Sequence, residues 1–312
     1  MTEEPYVYLF GPVPSRRLGL SLGVDLVPSK TCSLDCVYCE SGATTKLTVK
    51  RSALVPKEAV MAEIDRYLAT HEPPDAVTFS GAGEPTLHES LGEIADHIKS
   101  RCPGVRVVLL TNGTLFDRED VRRDAARTDL VIASFEASGK KVFRALNRPH
   151  PSLDPEAMAE GLVTFRQEFS GELWIEVFIV PGLNDDDDEV ARLAEVVKRI
   201  GPDRVQVNTL DRPGTEAWVK PADPERLKTI TEALGSGEVI GAYTPRSTGG
   251  DSDADVGSRI LGMVKRRPCT AEDLAESLGV PQEQVDEALE TLTRTGRIQQ
   301  ETQARGMFYK PL

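Results

Sequence analysis

The sequence predicts an α/β protein: a partial (β/α)6 barrel followed by a small C-terminal winged helix-turn-helix domain. Three observations predict it. Strand-like apolar runs alternate with helix-spaced runs over the first two thirds of the chain. Each strand candidate ends in polar or Gly-containing residues suited to a loop. After residues 247–255 (STGGDSDAD) the pattern changes to three helical segments and two short strands.

The first strand candidate, 20–27, is rich in apolar residues and precedes a group of cysteines. Residues 58–68 read as a helix, because Val60, Ile64 and Leu68 stand four apart on one face. Residues 76–80 form a short strand of the buried type, with a helix near 87–99. Strand 105–111 is followed by a helical stretch after Phe116. Strand 130–134 precedes a helix at 155–169, strand 173–180 a helix at 189–199, and strand 205–209 is the sixth. Such alternation implies a parallel sheet, and six units imply an open relative of the (β/α)8 barrel. Chemistry in such folds sits at the C-terminal strand ends. The expected domains are 1–246 and 256–312, joined by a linker at 247–255. In the second, helices at 256–265, 271–278 and 282–293 and strands at 297–300 and 307–310 make the winged pattern.

Composition narrows the function. The net charge of −13 argues against a nucleic-acid substrate gripped through phosphates. No apolar run approaches the roughly 20 residues that span a bilayer. Residues 1–5 lack the basic-then-apolar pattern of a secretory signal, so a cytoplasmic protein is expected. Of five cysteines, Cys32, Cys36 and Cys39 crowd into eight residues. A clustered, odd set reads as metal or redox chemistry and not as a disulfide framework. Cys102 and Cys269 read as small buried residues.

Cys32-Ser-Leu-Asp-Cys36-Val-Tyr-Cys39 has C-x3-C-x2-C spacing, in a loop soon after the first strand. Thiolates bind iron–sulfur clusters, usually four to a [4Fe-4S] cluster. Three leave one iron open to another ligand. A structural zinc site wants four ligands, and the next histidine is His71. This spacing, with Tyr38 before the third cysteine, resembles the radical S-adenosylmethionine (SAM) superfamily. The resemblance implies a [4Fe-4S] cluster on Cys32, Cys36 and Cys39 that chelates SAM and cleaves it to a 5′-deoxyadenosyl radical. It also implies a one-electron donor such as flavodoxin or ferredoxin.

The resemblance extends over roughly residues 10–215 and assigns further roles. Ser80-Gly81-Ala82-Gly83-Glu84-Pro85 stands where the family has a Gly-Gly-Glu-type motif meeting the SAM amino group; Ala82 is a departure. Thr111, Asn112 and Ser134, at two strand ends, would bond the SAM ribose and methionine. The Val180-Pro181-Gly182 segment would pack on adenine. For the Gly-rich turn a tight connection, and for Thr111, Asn112 and Ser134 a loop cap, is the alternative. Residues 10–19, with Phe143 and Asn147-Arg148-Pro149-His150, look like the wyosine-synthetase-related group, which modifies tRNA. Arg16, Arg17 and Arg148 are anion-binding candidates or surface arginines. Glu176, Asn208 and Arg212 are candidates for the pocket lining. Two departures weigh against tRNA: the cysteines are too few for a second cluster, and the charge is acidic.

Asp185–Asp188 reads as a helix cap in preference to a metal site. In the C-terminal domain, ten acidic residues oppose eight basic ones over 252–312. The third helix carries Glu283, Asp286, Glu287 and Glu290, so DNA is disfavoured. A peptide- or protein-docking module, or one packed on the barrel mouth, is expected. The leading function is therefore a radical SAM enzyme acting on a peptide or protein, a tRNA or a small metabolite. A non-catalytic iron–sulfur redox sensor using its winged helix is the alternative.

Overall fold

A computed structural model describes residues 6–15, 17–235, 237–240, 256–303 and 305–312. Arg16 and the 247–255 linker lie outside the described residues. The first part of the chain runs β1 (Leu9–Ser15), β2 (Gly19–Val24), β3 (Thr31–Cys32), β4 (Lys46–Leu47), α1 (Lys57–Thr70), β5 (Ala76–Phe79), α2 (Leu91–Arg101), β6 (Arg106–Thr111), α3 (Glu119–Ala125) and β7 (Leu130–Ser134). Then come α4 (Lys140–Asn147), α5 (Pro155–Glu168), β8 (Glu172–Ile179), α6 (Asp187–Ile200), β9 (Arg204–Thr209), α7 (Pro224–Ala233) and β10 (Glu238–Val239). The tail comprises α8 (Val256–Val264), β11 (Cys269–Thr270), α9 (Ala271–Leu278), α10 (Gln282–Arg294), β12 (Ile298–Gln303) and β13 (Gly306–Pro311).

The main sheet has the order β1-β2-β5-β6-β7-β8-β9-β10. β2 and β5 to β9 are parallel neighbours and correspond to the six expected strands. β1 adds antiparallel at one edge, and β10 adds parallel at the other. The two-residue period of a strand sets the layers. Along β8, Leu173, Ile175, Val177 and Ile179 join the core beneath the helices. Trp174 instead packs with Ala76, Val108, Leu130 and Ile132 at the barrel base, and Phe178 with Val37 and Val180 at the mouth. Glu176 lies between these two interior layers.

The elements not expected from the sequence are β1, β3, β4, β10, β11, α4 and α7. β1 carries Gly and Pro, which mask a strand and suit an edge. β10 and β11 are two residues each. α4 starts at Gly139 without a side-chain cap. α7 did leave a signal: Asp223 caps it and Pro224 opens it.

The tail forms a winged helix-turn-helix with its own core of Ile260, Val264, Leu274, Leu278, Val285, Leu289 and Ile298. This module packs on the mouth of the barrel. Arg266 Nε reaches Asp25 Oδ2 at 3.0 Å, and Ser41 Oγ donates to the Arg266 carbonyl at 2.7 Å. Asp273 Oδ2 accepts from Arg212 Nη1 at 2.8 Å and from Arg305 Nη2 at 2.7 Å.

Candidate active site

The cysteine loop begins where β3 ends and is fastened on two sides. On one side Lys30 N donates to the Ala82 carbonyl and Glu84 N to that of Thr31, at 2.8 and 3.1 Å. On the other, Asp35 N donates to the Asn147 carbonyl, Val37 N to that of Leu146 and His150 N to that of Ser33, at 2.9, 3.0 and 2.9 Å. The loop is thus held between the Gly81–Gly83 turn and the C-terminal end of α4. Each thiol meets a donor. Asn112 Nδ2 points at Cys32 Sγ (3.5 Å), Asn147 Nδ2 at Cys36 Sγ (3.4 Å) and Lys30 Nζ at Cys39 Sγ (3.4 Å).

Burial pushes the Cys32 thiol up to about 12, with the Glu84 charge adding to it. Burial also pushes Cys36 well above its usual value, and Glu136, Cys39 and Cys32 add to that. Neighbouring sulfurs, two of them desolvated, hold negative charge only beside a compensating cation. Among the described residues no three His, Cys, Asp or Glu side chains converge on a single-ion site. A four-iron cluster asks for less convergence, because each thiolate binds a different iron. The buried Oδ1 of Asn147 has no hydrogen-bond partner among the described residues, so an acceptor stands free beside Cys36. These observations fit a cluster with a ligand beside it.

Gly81 and Gly83 are required by close approach. A Cβ at Gly83 would collide with the Thr31 carbonyl, and one at Gly81, where φ is +152°, with the Asp25 carboxylate. Ala82 is 3% exposed, so its methyl is absorbed by packing. Glu84 is buried and spent within the chain. Its Oε1 accepts from Thr86 N, Thr86 Oγ1 and Thr111 Oγ1, and its Oε2 from Asn112 N at 2.7 Å. It therefore ties the β5 turn to the end of β6. Asn112 turns its amide toward the cysteine loop, donating to Ser33 Oγ at 2.9 Å as well as to Cys32. Ser134, half-buried at the end of β7, makes no side-chain hydrogen bond among the described residues. Val180 is buried in the mouth cluster, whereas Gly182 is exposed with φ at +79°.

Tyr38 stacks on Phe178 with ring centroids 4.0 Å apart, and its hydroxyl donates to Glu136 Oε1 at 2.9 Å. Asn147 Nδ2 also reaches Glu136 Oε2 at 3.1 Å. Burial pushes Glu136 up to about 7. The folded chain thus holds this proton more tightly than the unfolded chain does. The stability it contributes is full below the ordinary glutamate value and is lost as pH rises through about 7. The loss amounts to roughly 3 kcal/mol. Urea unfolding of the cluster-free protein, compared between wild type and Glu136→Gln, is expected to show a pH slope in this window that the variant lacks.

Deeper in the barrel, Arg17 Nη1 meets Glu176 Oε2 at 2.5 Å and Gln206 Oε1 at 3.0 Å, and Gln206 Nε2 donates to Glu238 at 2.7 Å. Asn208, next to last in β9, lies one layer higher. Arg148 pairs at the rim with Glu216 at 2.6 Å. Arg212 departs from expectation. It is 4% exposed and holds Asp273 and the Pro268 carbonyl, so it fastens the C-terminal module and does not line the interior. Asp186 caps α6 by accepting from Glu189 N, as the acidic run implied. Cys102 packs half-buried against the barrel core, and Cys269 is buried in the core of the tail. Sequence reasoning missed Lys30, Glu136 and Asn147 as partners of the loop; Asn147 was singled out only within the Asn147–His150 segment, and it closes α4.

Comparisons with known proteins agree with this geometry. The Radical SAM superfamily model matches residues 26–194, and the model called Sugar-specific transcriptional regulator TrmB matches 260–312. A UPF0026 protein of Methanocaldococcus jannaschii is 35% identical over 235 residues, covering 74% of this chain and 72% of that protein. A Brachyspira hyodysenteriae protein called GTPase Obg is 32% identical over 296 residues, covering 94% of this chain. The chain spans only 43% of that protein's length, and it has no Gly-x4-Gly-Lys-Ser/Thr phosphate loop. TYW1 solved with a lysine-pyruvate adduct bound superposes with a TM-score of 0.53 at 17% identity, over 73% of this chain and 76% of that one; it shares the fold. The cofactors that go with this family are a [4Fe-4S] cluster and SAM, and the residues around the three thiols fit them. With a family model covering more than half of its residues and a relative matched over most of both lengths, the chain belongs to the radical SAM superfamily, in its UPF0026 group.

Proposed function

We propose that this chain cleaves SAM reductively and uses the product radical to take hydrogen from a substrate bound in the barrel interior. The observation that carries this reading is the cysteine loop: three thiols at the barrel mouth, each facing a donor. Bound there, the cluster and SAM supply a 5′-deoxyadenosyl radical. The chain's part is placement. Cys32, Cys36 and Cys39 hold the irons, and the N–H groups of Asn112, Asn147 and Lys30 stabilise charge on the sulfurs. The Gly81-Ala82-Gly83 turn brings backbone close to the SAM methionine, and Glu84 fixes the turn to β6 and stands beside the SAM amino group. The free Ser134 hydroxyl and the unpartnered Asn147 Oδ1 take hydrogen bonds. Val180 and the Tyr38–Phe178 stack form the wall that keeps water out, with Gly182 at its exposed rim. Arg17, Glu176 and Asn208 line the substrate space beneath.

The substrate is a peptide or protein, a tRNA or a small metabolite. The C-terminal module favours the first, since α10 turns Glu283, Asp286, Glu287 and Glu290 outward as an acidic face. We assign residues 1–246 and 256–312 to two units joined at 247–255. The match over 260–312 favours a second reading, a non-catalytic iron–sulfur sensor that acts through this module.

Anaerobic reconstitution with iron and sulfide, followed by reduction in the presence of SAM, separates the two. Release of 5′-deoxyadenosine is expected. A stable cluster that never cleaves SAM would overturn the enzyme reading and favour the sensor.

A further inference from the structure

The face made by α4 and the loop after it differs from the rest of this acidic chain. Lys140, Lys141, Arg144, Arg148 and His150 fall within eleven residues, in a protein of net charge −13. Lys140, Arg144, Arg148 and His150 line one pocket of about 540 Å³. Lys140 is paired with Asp154 and Arg148 with Glu216. Lys141 and Arg144 are exposed and have no ion-pair partner among the described residues. Most arginines elsewhere on the barrel are neutralised by a carboxylate, as Arg51, Arg101, Arg106, Arg122 and Arg166 show.

This face is also joined to the cysteine loop. Three backbone bonds connect residues 33–37 with 146–150, and the last residue of α4, Asn147, points its amide at Cys36 Sγ. Arg144 stands three residues earlier, about 4.5 Å along the helix axis.

We propose that α4 and the loop through Pro155 form the docking surface for a small acidic one-electron carrier protein. The inference rests on the radical SAM reading. One electron leaves the carrier's reduced centre, which is thereby oxidised, and arrives on the cluster held by Cys32, Cys36 and Cys39. Lys141 and Arg144 attract the carrier and set its encounter rate. Asn147 and the three backbone bonds bind the docked face rigidly to a cluster ligand. An RNA would need a longer basic track than this isolated patch in a chain of strong negative charge.

The test follows cluster bleaching by stopped flow in the reconstituted full chain, with reduced flavodoxin as the acidic carrier and dithionite as a small reductant. The double variant Lys141→Glu, Arg144→Glu is expected to slow reduction by flavodoxin about tenfold and to weaken its salt dependence. Reduction by dithionite and iron content should stay as in wild type. Unchanged flavodoxin kinetics in the variant would overturn the docking surface while leaving the enzyme reading intact. Loss of tRNA retention on filters, with flavodoxin kinetics unchanged, would make the patch an RNA site and overturn it equally. A chain that takes up no cluster would overturn both readings.

Discussion

Replacing Cys36 with alanine is expected to abolish SAM cleavage, by at least about a thousandfold, equivalent to about 4 kcal/mol in the barrier. The reason is position as well as ligand count. Cys36 is the thiol that joins the loop to α4, through Asn147, and to the Tyr38–Glu136 pair behind it. Without its sulfur the chain offers two ligands, and iron and sulfide per chain should fall with activity. Asn147→Ala provides the contrast. It removes a hydrogen bond to the sulfur and none of the ligands, so a loss of about 10–100-fold is expected. Iron content should hold while the reduction midpoint of the cluster moves. Full iron content and cleavage in Cys36→Ala would show that the three cysteines do not form the site.

Asp273→Ala is expected to cost about 3–5 kcal/mol, read as a lower urea midpoint of the whole chain. Asp273 is buried and accepts from both Arg212 and Arg305, and it also closes the capping box of α9 with Thr270. Removing it takes from Arg212, 4% exposed, its nearest carboxylate and leaves the longer 3.8 Å pairing with Glu40. Asp273→Asn keeps the shape and the cap and should still lose most of this stability, because the charge is what Arg212 needs. Arg212→Met should be far milder. It replaces the cation with an apolar chain of similar volume and leaves Asp273 paired with Arg305. Equal losses in both variants would mean that volume, and not charge, holds the module to the barrel.

The six parallel strands were legible because a sheet covered on both faces reads as short apolar runs such as Leu130–Ser134. The cysteine loop was legible from spacing alone, and the Gly81–Glu84 turn from its glycines after a strand. The supporting contacts were not. Asn147 lies 111 residues from Cys36 and Arg266 lies 241 from Asp25, and only the rolled sheet and the returning tail bring them together. Glu84 was legible as a site residue, but its four internal hydrogen bonds depend on how β6 ends. Arg212 was misjudged for the same reason: its position just after β9 suggests the barrel interior, and its partners belong to the tail.

The placement of the C-terminal module has a consequence for self-association. β1 is an edge strand, and an uncovered edge offers unpaired N–H and C=O groups to any other chain. Here α8 and α9 lie against it, and Val13 packs into the module's own core. The winged helix thus shields the barrel from edge-to-edge pairing, a duty independent of any ligand it recognises. A barrel cut free before Val256 would expose both the strand and the apolar contact of Val13, and is expected to self-associate more readily than the whole chain.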